Sequence, residues 1–231
     1  MSRTPDLTAK ISLLRASEAV FAEKGLQLAK VEDITRRAGL SKGAFYLHFE
    51  SKEEAFEQVV ESFLARCIDH LPPPTAADAP PGADGMLAHW LDVDTQVHEF
   101  LWQNRATVAI LQGCQDHHVH LLEAFTENIQ RRSQEWIEFW KRRGFFRADV
   151  DTALVAIILC GAHNELSRKM LAAPKRPPIR EWIRQTQSVF ARGLGTQALI
   201  DALEDNPPVS QDGTPASETP PAPAKRRTRA M

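Results

Sequence analysis

Apolar residues recur at intervals of three and four along nearly the whole chain, and no run alternates with a period of two. That spacing puts apolar side chains on one face of a 3.6-residue helix and predicts an all-α protein. A first helix fits about Asp6 to Lys24, with Leu13, Ala16 and Val20 inward, widened by Leu14 and Phe21. Gly25 ends it, because glycine takes the left-handed conformation after a helix at little cost. A second helix fits Val31 to Ala38, with Val31, Ile34 and Ala38 inward. Gly39 makes a turn, and Ser41 is placed to N-cap a third helix reaching about Phe49. Ser51 followed by Glu54 is the pattern of a capping box, opening a fourth helix through Ala55, Phe56, Val59, Val60, Phe63, Leu64 and Ile68.

Pro72-Pro73-Pro74 stops that helix, since proline lacks the N–H and clashes with the preceding turn. The pattern divides the chain into a helical module at 1–71, a Pro-rich linker at 72–85, a second helical domain at 86–205 and a Pro-rich basic tail at 206–231, expected to be disordered. The second domain reads as one long or two shorter helices from Met86 to Gln112, then helices at His118–Arg143, about Val150–Ala172 and Ile179–Leu203. Gly144 closes the second of these, and Asp149 or Asp151 caps the third.

Charge sharpens this division. The formal net charge is -2 overall, yet residues 1–50 carry 8 Lys and Arg against 6 Asp and Glu, and the tail 4 against 2. A mildly basic front on an acidic body suits a small nucleic-acid module attached to a larger domain that does not bind nucleic acid. Cys67, Cys114 and Cys160 lie far apart, which argues against a disulfide framework and for a reducing compartment. The N-terminus has no signal-peptide pattern, and the longest apolar run, Ala153 to Cys160, is too short for a bilayer. A cytoplasmic protein with no membrane association is expected. Cys114, His117, His118 and His120 carry metal-ligand chemistry but are almost contiguous, so they cannot all converge on one ion; a solvated loop with Asp116 as cap is the favoured reading, and no metal or cofactor is expected.

The segment from Ala38 to Phe49 carries the function. A recognition helix must fit a major groove about 12 Å wide and bring side chains to base edges. Gly43 and Ala44 permit close approach, and Lys42 leads with a cation. Phe45 and Phe49, four apart, face inward, leaving Lys42, Gly43, Ala44, Tyr46, Leu47 and His48 outward. Lys52 adds a charge at the start of the fourth helix.

This pattern resembles the DNA-binding domain of the TetR family of bacterial transcription regulators. The matching stretches are Ala16 with Val20-Phe21-Ala22-Glu23-Lys24-Gly25, then Val31-Glu32-Asp33-Ile34-Thr35, Ala38 through Phe49, and Ser51-Lys52-Glu53. By resemblance, Ser41, Lys42, Gly43, Ala44, Tyr46, Leu47, His48 and Lys52 take DNA-contacting roles. Lys30 stands where the family commonly has a capping threonine, so it either leaves the second helix without a side-chain cap or reaches the phosphate backbone.

The resemblance implies that the second domain dimerises and holds a ligand. Gly144 to Asp151 resembles the family's turn before the first dimerisation helix, and Leu154, Val155, Ile157, Ile158, Leu159 and Gly161 coat nearly all of the helix that follows. A helix apolar all round must be buried, and an interface with a second copy is the natural place. Trp90, Trp102, Trp136, Trp140, Phe100 and Phe125 either pack the core or line a pocket, with His89, His98, His163 and Asn164 as candidate polar anchors. The expected protein is a homodimeric repressor of a palindromic operator, released by a small-molecule effector of unknown identity. The alternative is a DNA-binding regulator without a small-molecule effector, constitutive or controlled by a protein. An enzyme is excluded by the absence of Gly-x-Ser-x-Gly, a phosphate loop, His-Glu-x-x-His or a paired cysteine site. The basic tail is a solvated terminus or a weak non-specific tether to DNA.

Overall fold

The computed structural model describes residues 6–75, 78, 82–113 and 119–205. Among them the chain forms ten α-helices and no strand: α1 Leu7–Leu28, α2 Val31–Ala38, α3 Lys42–Tyr46, α4 Lys52–Asp69, α5 Gly82–Gln103, α6 Arg105–Gly113, α7 Val119–Arg142, α8 Thr152–Leu171, α9 Ile179–Leu194 and α10 Gln197–Asp205. Cys114, His117 and His118, parts of the linker, and the tail lie outside the described residues.

Helix α1 starts on Asp6, whose carboxylate accepts from the Thr8 N–H at 2.9 Å. Gly25 stands at φ 71°, as the left-handed stop requires, but one more helical turn follows and runs to Leu28. Gly39, at φ 68°, lets the chain double back between α2 and α3. Ser51 caps α4 by accepting from the Glu54 N–H at 3.1 Å, while the Glu54 carboxylate reaches back one residue further than expected, to the Glu50 N–H.

Leu13, Phe21, Ile34, Phe45, Phe49, Phe56 and Phe63 form one buried apolar cluster that ties α1 to α4. It does not stop at the linker. Phe100, Val108, Leu111 and Leu122 of the following helices pack against it. The linker's start is tied down as well, because the Trp136 indole N–H donates to the Pro72 carbonyl at 2.8 Å. A second cluster joins Met86, Trp136, Phe139, Trp140, Phe146 and Leu199, and a third joins Met170, Ile179 and Ile183.

One predicted helix divides, and of the two alternatives open for Met86–Gln112 the pair of shorter helices is the one formed. Met86–Gln112 breaks at Asn104, whose side chain bonds the Phe100 carbonyl at 2.8 Å. The helix expected over Ile179–Leu203 breaks at Gly195 and Thr196. Tertiary pairing wins there. Arg147 N–H donates to the Leu194 carbonyl, Thr196 N–H donates to the Phe145 carbonyl, and the Thr196 hydroxyl donates to the Gly144 carbonyl at 2.9 Å. A continued helix would deny these groups to the Gly144 turn. Asp151, not Asp149, caps α8, with its carboxylate accepting from the Ala153 and Leu154 N–H groups at 3.1 Å each.

Helix α8 is buried on one side only. Val155, Ala156 and Cys160 are covered, whereas Leu154, Ile157 and Ile158 are each about half exposed in the single chain. Val189 of α9 is exposed as well.

A Cβ on Gly195 would lie 2.4 Å from the Ala191 carbonyl oxygen, a backbone atom that cannot step aside. Gly195→Ala is therefore expected to cost about 1–3 kcal/mol, read as a lower thermal midpoint in a calorimetric melt. An unchanged midpoint would contradict this close approach.

Candidate nucleic-acid interface and effector cavity

Helix α3 is only five residues long; the expectation that it reached Phe49 is corrected, with Leu47 and His48 forming a turn instead. So short a helix has little stability of its own. It is held from both ends. Ser41 accepts from the Ala44 N–H at 3.1 Å, and Phe45 and Phe49 are fully buried with ring centroids 5.2 Å apart. Burying those two rings fixes the outward set. Lys42, Gly43, Tyr46 and Leu47 are exposed, and Ala44 and His48 half-buried. Ser41 is exposed as well, and its hydroxyl hydrogen remains available to a partner while its oxygen caps the helix.

A side chain at Gly43 would meet nothing closer than the Ser41 hydroxyl at 3.8 Å. The internal packing therefore leaves room for a side chain there, although glycine weakens a helix by about 1 kcal/mol against alanine.

Three placements alter the predicted contact set. Lys52 is corrected from phosphate contact to internal cap. Its ammonium donates to the carbonyls of Leu26, Gln27 and Ala29 at 2.9, 3.3 and 3.1 Å. An ammonium has three donors, and all are used on the negative end of α1. Lys52 thus fastens the start of α4 to the end of α1. Lys30 occupies the N-cap of α2 without a side-chain cap, and Asp33 covers for it by accepting from the Lys30 backbone N–H at 3.3 Å. Lys42 forms an ion pair with Glu32, a residue that the sequence reading missed. The bond from Lys42 holds the Glu32 carboxyl below its usual range. Asp33 of α2 is likewise held down by Lys24 of α1, at 2.8 Å.

A cavity of about 520 Å³ lies between α4, α5, α6, α7, α8 and α9. That volume fits a small organic ligand. His89, Trp90, His98, Phe125, Trp136, Trp140, His163 and Asn164 all line it. Trp102 does not, and is corrected. It follows Leu101, the last α5 residue on the cavity stripe, by one position, about 100° round the helix. There it packs against the Met170, Ile179 and Ile183 cluster, with the Arg105 guanidinium 4.9 Å from its ring. Phe100 is also outside, with its ring centroid 5.6 Å from that of Phe63 and 4.6 Å from that of His70.

The cavity wall contains one polar cluster. Asp94 accepts from the Gln187 amide at 2.9 Å, and His163 Nε2 lies 3.5 Å from the same carboxylate oxygen. His98 Nδ1 donates to the Asp94 backbone carbonyl at 2.7 Å, and His98 Nε2 lies 3.4 Å from His163 Nδ1. Burial pushes Asp94 up to about 6 and both imidazoles down. Asp94 and Gln187 were missed in the sequence. The available signal was an acid, Asp94, at the three-to-four spacing shared by Trp90, Val97 and Leu101. His89 stacks near Trp136, centroids 5.0 Å apart, and its Nε2 is buried without a hydrogen-bond partner. His120 lies 3.6 Å from Glu57, and no metal-holding group of three ligand side chains occurs among the described residues.

The head and the cavity share parts. Phe63, Leu64 and Cys67 of α4 and Val108 and Leu111 of α6 line the cavity. On its other side, Glu18 of α1 accepts from Arg66 of α4 and from the Thr107 hydroxyl of α6, both at 3.0 Å.

An exposed short helix behind a tight turn, mounted on a helical body with an internal cavity, defines a helix–turn–helix transcription regulator. The comparisons with known proteins agree. Residues 13–59 match the family model described as bacterial regulatory proteins, tetR family. The HTH-type transcriptional repressor KstR2 of Rhodococcus jostii is 30% identical over 154 residues, covering 63% of this chain and 71% of that protein. The uncharacterized HTH-type regulator YvdT of Bacillus subtilis is 37% identical over 59 residues, a match confined to 26% of this chain and 30% of that protein. The crystal structure of a transcriptional regulator from Aquifex aeolicus VF5 superposes with a TM-score of 0.62 at 23% identity, over 79% of this chain and 99% of that one. This chain belongs to the TetR family. It is a DNA-binding transcriptional regulator and not an enzyme. No helix among the described residues is long and apolar enough to cross a membrane.

Glu32 holds the cation that leads α3 and sets a negative charge beside it. Glu32→Gln is expected to tighten DNA binding about two- to fivefold, with the gain shrinking as salt rises. Fluorescence anisotropy on a labelled duplex across a salt series checks this; in a Lys42→Ala background the gain should largely vanish.

Proposed function

We propose that this chain is a homodimeric repressor that leaves its operator when an apolar small molecule fills the cavity. In this reading residues 1–71 are the DNA-binding module, 86–205 the effector and dimerisation body, and 72–85 the join between them. The observation that carries it is the double duty of α4. Its first turn is fastened to α1 by Lys52, and its Phe63, Leu64 and Cys67 form cavity wall. An occupant that shifts the far end of α4 must move the end that positions α3. The effect can be no larger than the occupant's preference for one arrangement over the other.

On DNA, Lys42, Gly43, Ala44 and Leu47 face the bases, and Ser41, Tyr46, His48 and Lys30 meet phosphates. Lys42 exchanges Glu32 for the DNA on docking. One such surface reads few bases, so two copies related by a two-fold axis are needed to reach successive major grooves. The half-exposed Leu154, Ile157 and Ile158 of α8, with Val189 of α9, support a dimer built on those helices. The name of the KstR2 relatives, transcriptional repressors, supports the sign of regulation. A cavity of about 520 Å³ favours effector control over a constitutive or protein-controlled regulator.

Selection of bound DNA from a random pool tests the reading; an inverted repeat is expected, and recovery of an asymmetric half-site alone would count against dimeric readout. Leu154→Asp with Ile158→Asp is expected to turn the dimer into a folded monomer in sedimentation and to weaken operator binding by about 100-fold or more.

A further inference from the structure

The hydrogen-bond directions around Asp94 fix a proton count. A carbonyl can only accept, so the 2.7 Å contact to the Asp94 carbonyl makes His98 Nδ1 the donor. Neutral His98 then has only a lone pair on Nε2, so His163 Nδ1 must donate to it across 3.4 Å. That leaves His163 Nε2, if neutral, with its own lone pair 3.5 Å from a carboxylate oxygen. Two lone pairs facing each other in an apolar wall repel, and one shared proton between Asp94 and His163 relieves that repulsion. With it the cluster is neutral; without it the cluster carries one buried negative charge. The link is poor even so, since Nε2 of His163 has no hydrogen bond of acceptable geometry.

Among the described residues, the rest of the wall carries no unpaired cation. Its cation is Arg168, whose guanidinium is already held by Glu165 through bonds of 2.8 and 2.7 Å. Trp90, Trp136 and Trp140 line the cavity, and aromatic rings attract cations. Resting on the reading that this cavity holds the effector, we infer that its ligand is an apolar organic ammonium ion, its charged nitrogen paired with Asp94 in place of the shared proton. The ammonium supplies the positive charge that the cluster otherwise takes from solvent, and its body lies along the tryptophans.

The exchange has a sign. At low pH the cluster keeps its proton and an ammonium must displace it; as pH rises the site empties and binding tightens. Burial raises Asp94 and lowers His98 and His163, in line with a site that gives up its proton near neutrality. Asp94 faces His98 on its own helix, His163 and Cys160 of α8 and the uncharged Gln187 of α9. The Cys160 thiol is itself raised by burial and stays neutral. The charges of Asp92 and Glu99 on α5 are engaged by Arg180 and Arg176.

Calorimetric titration of the full chain with 2-(1-naphthyl)ethylamine, 2-(1-naphthyl)ethanol and 1-naphthylacetate separates the cases. The amine is expected to bind at least about tenfold more tightly than the alcohol near pH 7.5, the carboxylate least, and the amine alone to weaken toward pH 5.5. Asp94→Asn should remove the amine's advantage over the alcohol. If that variant does not fold, the charge series and pH series on the unaltered chain decide alone. Equal binding of amine and alcohol, or preference for the carboxylate, would overturn the ammonium assignment while leaving the effector cavity standing. Failure of all three to bind would overturn the cavity reading as well.

Discussion

Everything in this molecule hangs on the burial of α4 along its whole length. Ala55, Phe56, Val59 and Val60 are covered near its start, and Phe63, Leu64 and Cys67 near its end. The first group closes the small core under α1, where the Phe21 and Phe56 rings meet edge to face at 5.3 Å. The second group is wall for the internal cavity. A helix is stiff over this distance, and both its surroundings are packed. Movement at one end therefore cannot be absorbed along the way. The head core and the cavity wall are joined by a rod whose apolar face both halves of the molecule need.

Around that rod, polar groups do the positioning. Lys52 closes the end of α1 and Glu18 gathers Arg66 and Thr107, so that α1, α4 and α6 meet at one carboxylate. Neither arrangement is worth much as an exposed ion pair. Their value is directional: each fixes how one helix sits on the next. The same logic explains the cavity. An apolar wall makes a lone carboxylate expensive, so Asp94 is surrounded by an amide and two imidazoles that share hydrogens rather than charge.

The helix–turn–helix was legible because its signals are local. Gly39 at positive φ, Ser41 as cap and the Phe45–Phe49 spacing act within a dozen residues, and each appears in the structure as the pattern implied. The same holds for the Ser51 cap, the Pro72 stop and most of the cavity aromatics, whose three-to-four spacing along α5 and α7 brings them to one side. The length of α3 was not legible. Where it stops depends on the burial of Phe49 against other helices, and five residues carry too weak a propensity to announce an end.

The amino-acid order by itself determined the helical class, the family, the turn that presents the reading surface and the apolar surplus of α8. These rest on periodicity and capping, which act over a few residues. Only the tertiary structure decided that Lys52 faces inward, that Lys42 is held by Glu32, that the chain breaks at Gly195 and that Asp94 meets His163. Lys52 and the Leu26 carbonyl are 26 positions apart, and Gln187 and Asp94 are 93 apart. A charged side chain chooses its partner from what packing brings within about 3 Å, and no local pattern records that choice.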